Sequence, residues 1–280
     1  MIDVFKAIIL GIIEGITEWL PISSTGHLIL ANEFLKLNVT DAFMEMFEVV
    51  IQLGAILAVV VLFWNKLWPL SLRTSCSVKQ LVGKVGVKRK SIALWIKVII
   101  ACLPAAVIGL LFDEQINALF FNPTTVATTL IIYGIAFILI EIFNKNKDHK
   151  IHTISSLPYS TAFFIGLFQV LSMIPGTSRS GSTILGAMLL GLSRTAAAEF
   201  SFYLAVPVMF GASALKLFKY GFSFTGTEFI ILAAGMIMSF VVSIIIIKFL
   251  LDFVRKKSFA VFGYYRIALG ILVLLYFAFK

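Results

Sequence analysis

The chain has 280 residues, of which 60% are hydrophobic and 13% are charged. A soluble domain usually carries about 45–50% apolar and about 25% charged residues, so the composition excludes a mainly soluble protein and indicates an integral membrane protein. The net charge of +9 lies in loops between apolar stretches, which is typical of a membrane surface. We therefore expect contact with membrane lipid and no nucleic-acid partner. The two cysteines, Cys76 and Cys102, support no disulfide framework.

The first apolar segment runs from about residue 4 to residue 31 and is interrupted at its middle. The break, from Pro21 to His27, reads Pro-Ile-Ser-Ser-Thr-Gly-His. Each half is shorter than the roughly 20 residues that a membrane-spanning helix needs, and proline ends or kinks a helix. The segment is therefore predicted to be a re-entrant helical hairpin, which enters the membrane and returns.

Three uninterrupted apolar stretches follow, at about residues 44–64, 92–112 and 124–143. The loop at 65–91 contains seven basic residues and no acidic residue, which predicts a cytoplasmic loop. The next connection contains Asp113 and Glu114 without a basic residue, so we expect it on the outer side.

A second broken segment occupies residues 159–192, and its break, from Pro175 to Gly181, reads Pro-Gly-Thr-Ser-Arg-Ser-Gly. Three more spans follow at about 198–217, 227–250 and 259–279. Because three spans separate the hairpins, the first should enter from the outer face and the second from the cytoplasm. The predicted fold is an all-α polytopic membrane protein, one integral membrane domain (1–280) with inverted repeats at about 1–145 and 155–280.

Two carboxylates, Glu14 and Glu18, lie four residues apart and therefore on one face of the first half-helix. Without a base beside them they repel each other, and a divalent cation would relieve the repulsion. Oxygen ligands favour Mg²⁺ or Ca²⁺. The alternatives are protonation or an ion pair with a distant arginine.

The first break places Ser24 and His27 one helical turn apart if a helix begins near Ser24. A serine beside an imidazole is the simplest activated nucleophile, and the free N–H groups of the helix start favour an anion. Alternatively, Ser23 or Ser24 caps the helix and His27 is a packing residue.

The second break supplies positive charge through Arg179, also at a predicted helix N-terminus. Its guanidinium can hold a phosphate by two parallel hydrogen bonds, with Ser178 and Ser180 as further donors. The alternative is an internal ion pair with Glu14 or Glu18. Together the two breaks indicate phosphoryl chemistry in a membrane. Transport of a lipid carrier or an anionic solute, or a receptor without turnover, are the other readings.

The two breaks also carry a resemblance. Residues Glu14 to His27 and Pro175 to Gly181 resemble the two signature motifs of bacterial undecaprenyl pyrophosphate phosphatases, the bacitracin-resistance family. The stretches Phe47 to Val60 and Ala198 to Pro207 are also similar to that family.

The resemblance implies hydrolysis of undecaprenyl diphosphate to undecaprenyl phosphate and phosphate, which recycles the lipid carrier of peptidoglycan synthesis. It implies a divalent cation, Mg²⁺ or Ca²⁺, and a bacterial plasma membrane protein whose active site opens to the outer face. A homodimer is a further expectation. The residues implied by the resemblance are catalytic Ser24, His27, Glu18 and Glu14, with both glutamates at the metal, and phosphate-binding Arg179. The further substrate-binding residues expected at the two breaks are Ser178, Ser180, Thr25, Ser23 and Gly176.

Overall fold

A computed structural model describes residues 1–73, 84–145, 147–221 and 223–279. The described residues are mostly helical. The helices are α1 (Ile2–Thr17), α2 (Ser24–Phe34), α3 (Asp41–Leu62), α4 (Trp64–Leu67), α5 (Arg89–Phe120), α6 (Pro123–Asn144), α7 (Tyr159–Val170), α8 (Arg179–Leu189), α9 (Arg194–Tyr220), α10 (Gly226–Lys256) and α11 (Ala260–Ala278). Short 3₁₀ turns occupy Ile154–Ser156 and Leu171–Met173.

Six of these helices are long and apolar enough to cross a membrane. They are α3, α5 over Arg89–Phe112, α6, α9, α10 and α11, and they coincide with the six predicted spans. Their lipid-facing sides expose large apolar side chains, such as Leu110 and Phe218. The prediction of an all-α polytopic membrane protein is therefore confirmed.

Both broken segments form two short helices each. In the first, α1 has 16 residues and α2 has 11. In the second, α7 has 12 and α8 has 11. An α-helix rises 1.5 Å per residue, so α2, α7 and α8 are each far shorter than the roughly 30 Å hydrocarbon layer. Re-entry of both segments stays a prediction, since it depends on the position of the membrane.

The basic loop at 65–91 contains more structure than the sequence predicted. After α4, strand β1 (Leu70–Arg73) pairs antiparallel with β2 (Lys84–Val87), with Leu70 opposite Val87. The middle of the loop, residues 74–83 with Cys76 and Lys79, lies outside the described residues. This small ladder departs from the all-helical expectation without adding to the spanning part of the fold.

The prediction of a loop at Asp113 and Glu114 is wrong, because α5 continues through both residues to Phe120. No glycine or proline follows Gly109 until Pro123, so nothing in that stretch ends the helix. The turn comes at Phe121 and Asn122, where the Asn122 side chain accepts a hydrogen bond of 2.8 Å from Thr125 N and caps α6.

The two halves of the chain share an order of elements and a pattern of packing. Each consists of two short helices followed by three long ones, apart from the small elements of the basic loop. In the first half α1 packs on α10, and in the second α7 packs on α5. Glycines allow both approaches: a Cβ at Gly11 would overlap Gly235 O, and one at Gly166 would overlap Ala101 O. This correspondence supports the predicted repeat.

Helices α6 and α11 form a third close contact between the two halves, besides α1 on α10 and α7 on α5. α6 and α11 pack against each other, with Gly134 and Gly263 face to face. A Cβ on Gly134 would lie 2.7 Å from Gly263 O, and a Cβ on Gly263 would lie 2.6 Å from Gly134 O. Small residues at a membrane helix interface permit such close backbone contact. Side chains of both helices reach the second break: Thr129 of α6 donates to Pro175 O, and Arg266 of α11 donates to Gly176 O.

Candidate active site

The two breaks fold into the same kind of turn. Ser23 and Ser178 have φ angles of 74° and 71°, and they are the non-glycine residues with positive φ in the described part of the chain. Each side chain accepts a hydrogen bond from the backbone N–H of the glycine three residues on, Gly26 or Gly181, so each caps the helix that follows. Strained backbone of this kind persists where the surroundings hold it, commonly at functional sites.

Glycine is required at the start of the second turn. Gly176 has φ 87°, and a Cβ there would overlap Thr129 Oγ1. Thr129 Oγ1 lies 2.7 Å from the Pro175 carbonyl and donates to it, so α6 holds this turn in place. Gly176 therefore lets this turn lie directly against Thr129 of α6.

The structure joins the two breaks through Glu18, at the C-terminal end of α1. Arg179 Nη2 donates to Glu18 Oε1 at 2.9 Å, and Ser180 Oγ donates to the Glu18 carbonyl at 3.0 Å. Arg179 and Ser180 thus meet Glu18 in the interior, although they follow it by 161 and 162 positions in the sequence. The ion pair that the sequence left open as an alternative for Arg179 is present here, with Glu18 as its partner.

Arg179 is held from three sides. Besides Glu18, its Nη1 donates to Ser201 O at 2.7 Å, and its guanidinium lies over the Trp19 ring, 5.7 Å from the centroid. Its Nε has no hydrogen-bond partner among the described residues. The guanidinium therefore keeps one donor, Nε, that is available to an incoming anion.

The Ser24 hydroxyl also contacts Glu18. Ser24 Oγ donates to Glu18 Oε2 at 3.0 Å, and both side chains are buried. One carboxylate therefore connects the hydroxyl of the first break to the guanidinium of the second. A carboxylate in this position can accept the proton of the hydroxyl.

His27 is not paired with Ser24, contrary to the arrangement expected from sequence. Its Nδ1 lies 2.7 Å from the Ser23 carbonyl, and its Nε2 lies 2.7 Å from the Tyr265 hydroxyl. Because a carbonyl only accepts, Nδ1 carries the proton of the neutral ring, and Nε2 accepts from Tyr265. The first turn of α2 therefore brings Nδ1 of His27 onto the Ser23 carbonyl, and Nε2, the nitrogen that could accept a proton, faces Tyr265 of α11.

Glu14 is fully buried, and neither carboxylate oxygen has a hydrogen-bond partner among the described residues. A buried carboxylate without partners must be protonated or bind a cation, because burying an isolated charge is very unfavourable. The described residues contain no group of three or more His, Cys, Asp or Glu placed to hold a metal ion. Mg²⁺ commonly uses one or two carboxylates together with water and phosphate oxygens, and Glu14 with Glu18 fits that donor set.

The remaining predicted ligands line the helix starts. Thr25 is half-buried in the first turn of α2. Ser178 and Ser180 lie with their hydroxyl oxygens 3.1 Å apart, and Ser180 is fully buried. The first three backbone N–H groups of α2 and α8 are available near these side chains, except where Ser23 and Ser178 cap them. The site therefore combines the guanidinium of Arg179, the carboxylates of Glu14 and Glu18, and the N-termini of α2 and α8.

Sequence reasoning missed two residues of α11 that reach the breaks, Tyr265 and Arg266. Arg266 is fully buried and donates to the Pro21, Gly176 and Thr177 carbonyls. The signal was present in the sequence, because a charged residue inside an apolar span indicates function. Tyr265 carried no such signal.

Comparison with known proteins identifies the family. A family model described as bacitracin resistance protein BacA matches residues 7–272. An undecaprenyl-diphosphatase of Desulfitobacterium hafniense is 59% identical, covering 99% of this chain and 97% of that protein. Undecaprenyl-diphosphatases of Acetivibrio thermocellus (58% identical; 99% and 98% covered) and Enterococcus faecalis (54%; 98% and 97%) are also similar. A match over nearly the whole length shows that this chain belongs to the BacA family of bacitracin resistance proteins.

Proposed function

We propose that this chain hydrolyses undecaprenyl diphosphate to undecaprenyl phosphate and inorganic phosphate. The reaction recycles the lipid carrier of peptidoglycan synthesis and confers bacitracin resistance. Membership of the BacA family and relatives named undecaprenyl-diphosphatase support the proposal, as does a chain of spanning helices that suits a lipid substrate.

The observation that carries the proposal is the contact of both breaks at Glu18. Ser24 and Arg179 each bond one oxygen of its carboxylate, at the starts of α2 and α8. A nucleophile, a proton acceptor and a phosphate-binding cation are thereby within one site, which is the minimum that phosphoryl transfer requires.

In the proposed reaction the terminal phosphate displaces Glu18 from Arg179. The guanidinium then holds two phosphate oxygens, and the free N–H groups of α2 and α8 face the remaining charge. Glu18, released from its ion pair, keeps its hydrogen bond to Ser24 and is free to accept the hydroxyl proton.

Ser24 Oγ attacks the terminal phosphorus as Glu18 takes its proton. The bond to the bridging oxygen breaks, and undecaprenyl phosphate leaves with that oxygen and its electron pair. Water then attacks the phosphoserine, and the bond between phosphorus and the serine oxygen breaks. The serine oxygen recovers its proton from Glu18, and the protons of the water leave with the inorganic phosphate. The alternative is direct attack by water that Glu18 or His27 deprotonates.

A divalent cation, Mg²⁺ or Ca²⁺, is part of the proposal, with Glu14 and Glu18 as the residues that would hold it. When bound, it would neutralise charge on the phosphate oxygens. The two oxygens of Glu14, which have no hydrogen-bond partner within the described part of the chain, support this assignment.

We place the protein in the bacterial plasma membrane, with the active site opening to the outer face. The basic loop at 65–91 supports that orientation. A homodimer is also proposed, and light scattering of the purified protein after subtraction of the detergent mass tests it.

The deciding experiment measures inorganic phosphate released from undecaprenyl diphosphate by purified protein in detergent. The proposal predicts turnover by the wild type and a loss of about 10²–10³-fold in Arg179→Ala. Arg255→Met, which removes an exposed arginine distant in sequence from both breaks, is the control and should keep wild-type turnover. Binding of the lipid without phosphate release would instead favour a transporter or a receptor.

A further inference from the structure

The first half of α11 contains an arginine that no step of the proposed reaction uses. Arg266 is fully buried within a helix long and apolar enough to cross a membrane. Its guanidinium forms no ion pair with any carboxylate of the described residues. An ionisable side chain at that depth is costly and is normally retained for function.

The partners of Arg266 are backbone carbonyls on both breaks. Nη1 donates to Pro21 O at 3.1 Å, and Nη2 donates to Gly176 O at 2.8 Å and Thr177 O at 3.0 Å. Nε lies 3.4 Å from Leu130 O on α6. The side chain therefore connects the turn before Ser24 to the turn before Arg179.

Arginine is suited to this role because its planar group offers five donors in a fixed geometry. Lysine has three donors on a single nitrogen and cannot reach carbonyls on two separate loops with the same geometry. The carbonyls satisfy the hydrogen bonds of Arg266 but carry only partial negative charge. The guanidinium also lies over the Tyr133 ring, 5.5 Å from its centroid, so the cation has an aromatic partner as well.

Comparison of the two halves shows that packing alone does not require this arginine. Gly134 of α6 lies against Gly263 of α11, and three residues further along each helix are Phe137 and Arg266. Both are fully buried. An aromatic ring fills the position in one half, so the arginine of the other half does something that an apolar side chain cannot do.

We propose that Arg266 is a positioning residue that holds the two breaks together, so that Ser24 and Glu18 face the same phosphate as Arg179. This inference rests on the proposed function and adds a residue of α11 to the machinery. Arg266 acts through the loop carbonyls and does not touch the reacting atoms.

The test measures kcat and KM for undecaprenyl diphosphate with purified wild type, Arg266→Met and Arg266→Lys. The matched control is Lys97→Met. Lys97 is also a buried cation that donates to two backbone carbonyls, those of Ile154 and Ser155, but it contacts neither break. Thermal unfolding of each variant reports its stability.

We expect Arg266→Met to lower kcat by about 10²-fold, the usual effect of misplacing catalytic groups by about 1 Å, with a smaller change in KM. Arg266→Lys should recover part of this loss and stay about tenfold or more below the wild type, because it keeps the charge but not the bridge. Lys97→Met should keep the wild-type kcat even if its unfolding temperature falls.

Wild-type kcat in Arg266→Met, or an equal loss of kcat in Lys97→Met, would overturn the inference. If Arg266→Met yields no folded protein, Arg266→Lys decides, and wild-type kcat in that variant would overturn it. Absence of phosphate release by the wild type would reject the proposed function instead.

Discussion

Glu18 contacts three groups of the candidate site at once. Its two carboxylate oxygens bond Ser24 and Arg179, and its backbone carbonyl accepts from Ser180. Removing one partner of a buried ion pair commonly costs about 3–5 kcal/mol, because the other charge is left unpaired. The same geometry makes Glu18, rather than His27, the nearest proton acceptor for the Ser24 hydroxyl.

We expect Ser24→Ala to reduce kcat severely and to leave substrate affinity nearly unchanged, because the charged groups that bind the diphosphate remain. His27→Ala should reduce kcat less, since Nε2 of His27 faces Tyr265 and not Ser24. Steady-state kinetics on both variants checks this. Near wild-type kcat in Ser24→Ala would eliminate the covalent route and leave attack by activated water, whereas equal losses in both variants would restore the Ser24–His27 pair.

The proposed cation gives a second prediction at this scale. Excess chelator should abolish turnover, and added Mg²⁺ or Ca²⁺ should restore it. Glu14→Gln should raise the metal concentration needed for half-maximal turnover, because an amide is a weaker ligand than a carboxylate. The metal should also raise the unfolding temperature of the wild type, as any ligand of the folded state does.

Asp252→Asn is the control for that prediction. Asp252 is exposed and paired with Arg255, away from the breaks in sequence, and its loss should leave the metal requirement unchanged. Full turnover in excess chelator would remove the cation from the mechanism.

The residue types of the site were predictable from sequence, but their pairing was not. Glu14, Glu18 and Arg179 stand out as charges within apolar segments. The partner of Arg179 depends on how two loops more than 150 residues apart meet, and spacing along one helix holds no such information. The spacing of Ser24 and His27 indicated a pair, yet the backbone of Ser23 captures one ring nitrogen and Tyr265 the other.

At the scale of helices, glycine contacts set how closely the elements pack. Gly11 and Gly166 bring α1 onto α10 and α7 onto α5 with backbone against backbone. Close packing is a main source of helix association in membranes, because apolar burial alone gives little advantage there. The two contacts also hold the helices that lead into the breaks.

We predict that Gly11→Ala and Gly166→Ala each destabilise the protein by about 1–3 kcal/mol, because the added methyl group overlaps a backbone carbonyl that cannot move freely. Gly211→Ala is the matched control. Gly211 lies within α9 with open space around its would-be Cβ, and alanine there should be neutral or stabilise by up to about 1 kcal/mol. Unfolding of the three variants in detergent is the measurement, and equal stability of all three would contradict the prediction.

The number and approximate bounds of the six spanning helices and of the two broken segments followed from hydropathy and helix-ending residues, whereas α4 and the β1–β2 pair did not. The breaks at Pro21 and Pro175 were visible because proline interrupts apolar segments. The sequence predicts the end of α5 too early, because two acidic residues after an apolar stretch favour a loop, whereas Asp113 and Glu114 belong to the helix. Charge alone does not end a helix.

At the scale of the whole molecule, the two halves share their order of helices and their packing partners. The basic loop at 65–91 fixes the expected orientation. With that orientation we expect both termini on the outer side and hairpins that enter from opposite faces, which would bring the breaks together inside the membrane.

Cysteine labelling in intact cells tests this orientation, with Cys76 and Cys102 first replaced. A cysteine at position 90, an exposed site at the start of α5, should resist a membrane-impermeant thiol reagent. One at position 115, exposed beyond the spanning part of the same helix, should react. The two positions control for each other, and the reverse pattern would invert the topology.

The repeat was predictable in outline from the paired breaks, and its asymmetry was not. Phe137 and Arg266 lie three residues beyond the facing glycines of α6 and α11, and Arg266 donates hydrogen bonds to both breaks, which a phenyl ring cannot do. Sequence comparison of the halves could not reveal this difference, since a few matches in so apolar a chain fix no alignment of α6 with α11.

The central claim is that the diphosphate is hydrolysed where the two breaks meet, and a double-mutant cycle tests it most directly. Phosphate release from undecaprenyl diphosphate is measured for the wild type, Glu18→Gln, Arg179→Met and the double variant. We predict that each single variant loses at least about 10²-fold in kcat/KM and that the double variant is little worse than either, because residues that act as a unit are not additive. Losses that multiply in the double variant would contradict the claim of one shared site.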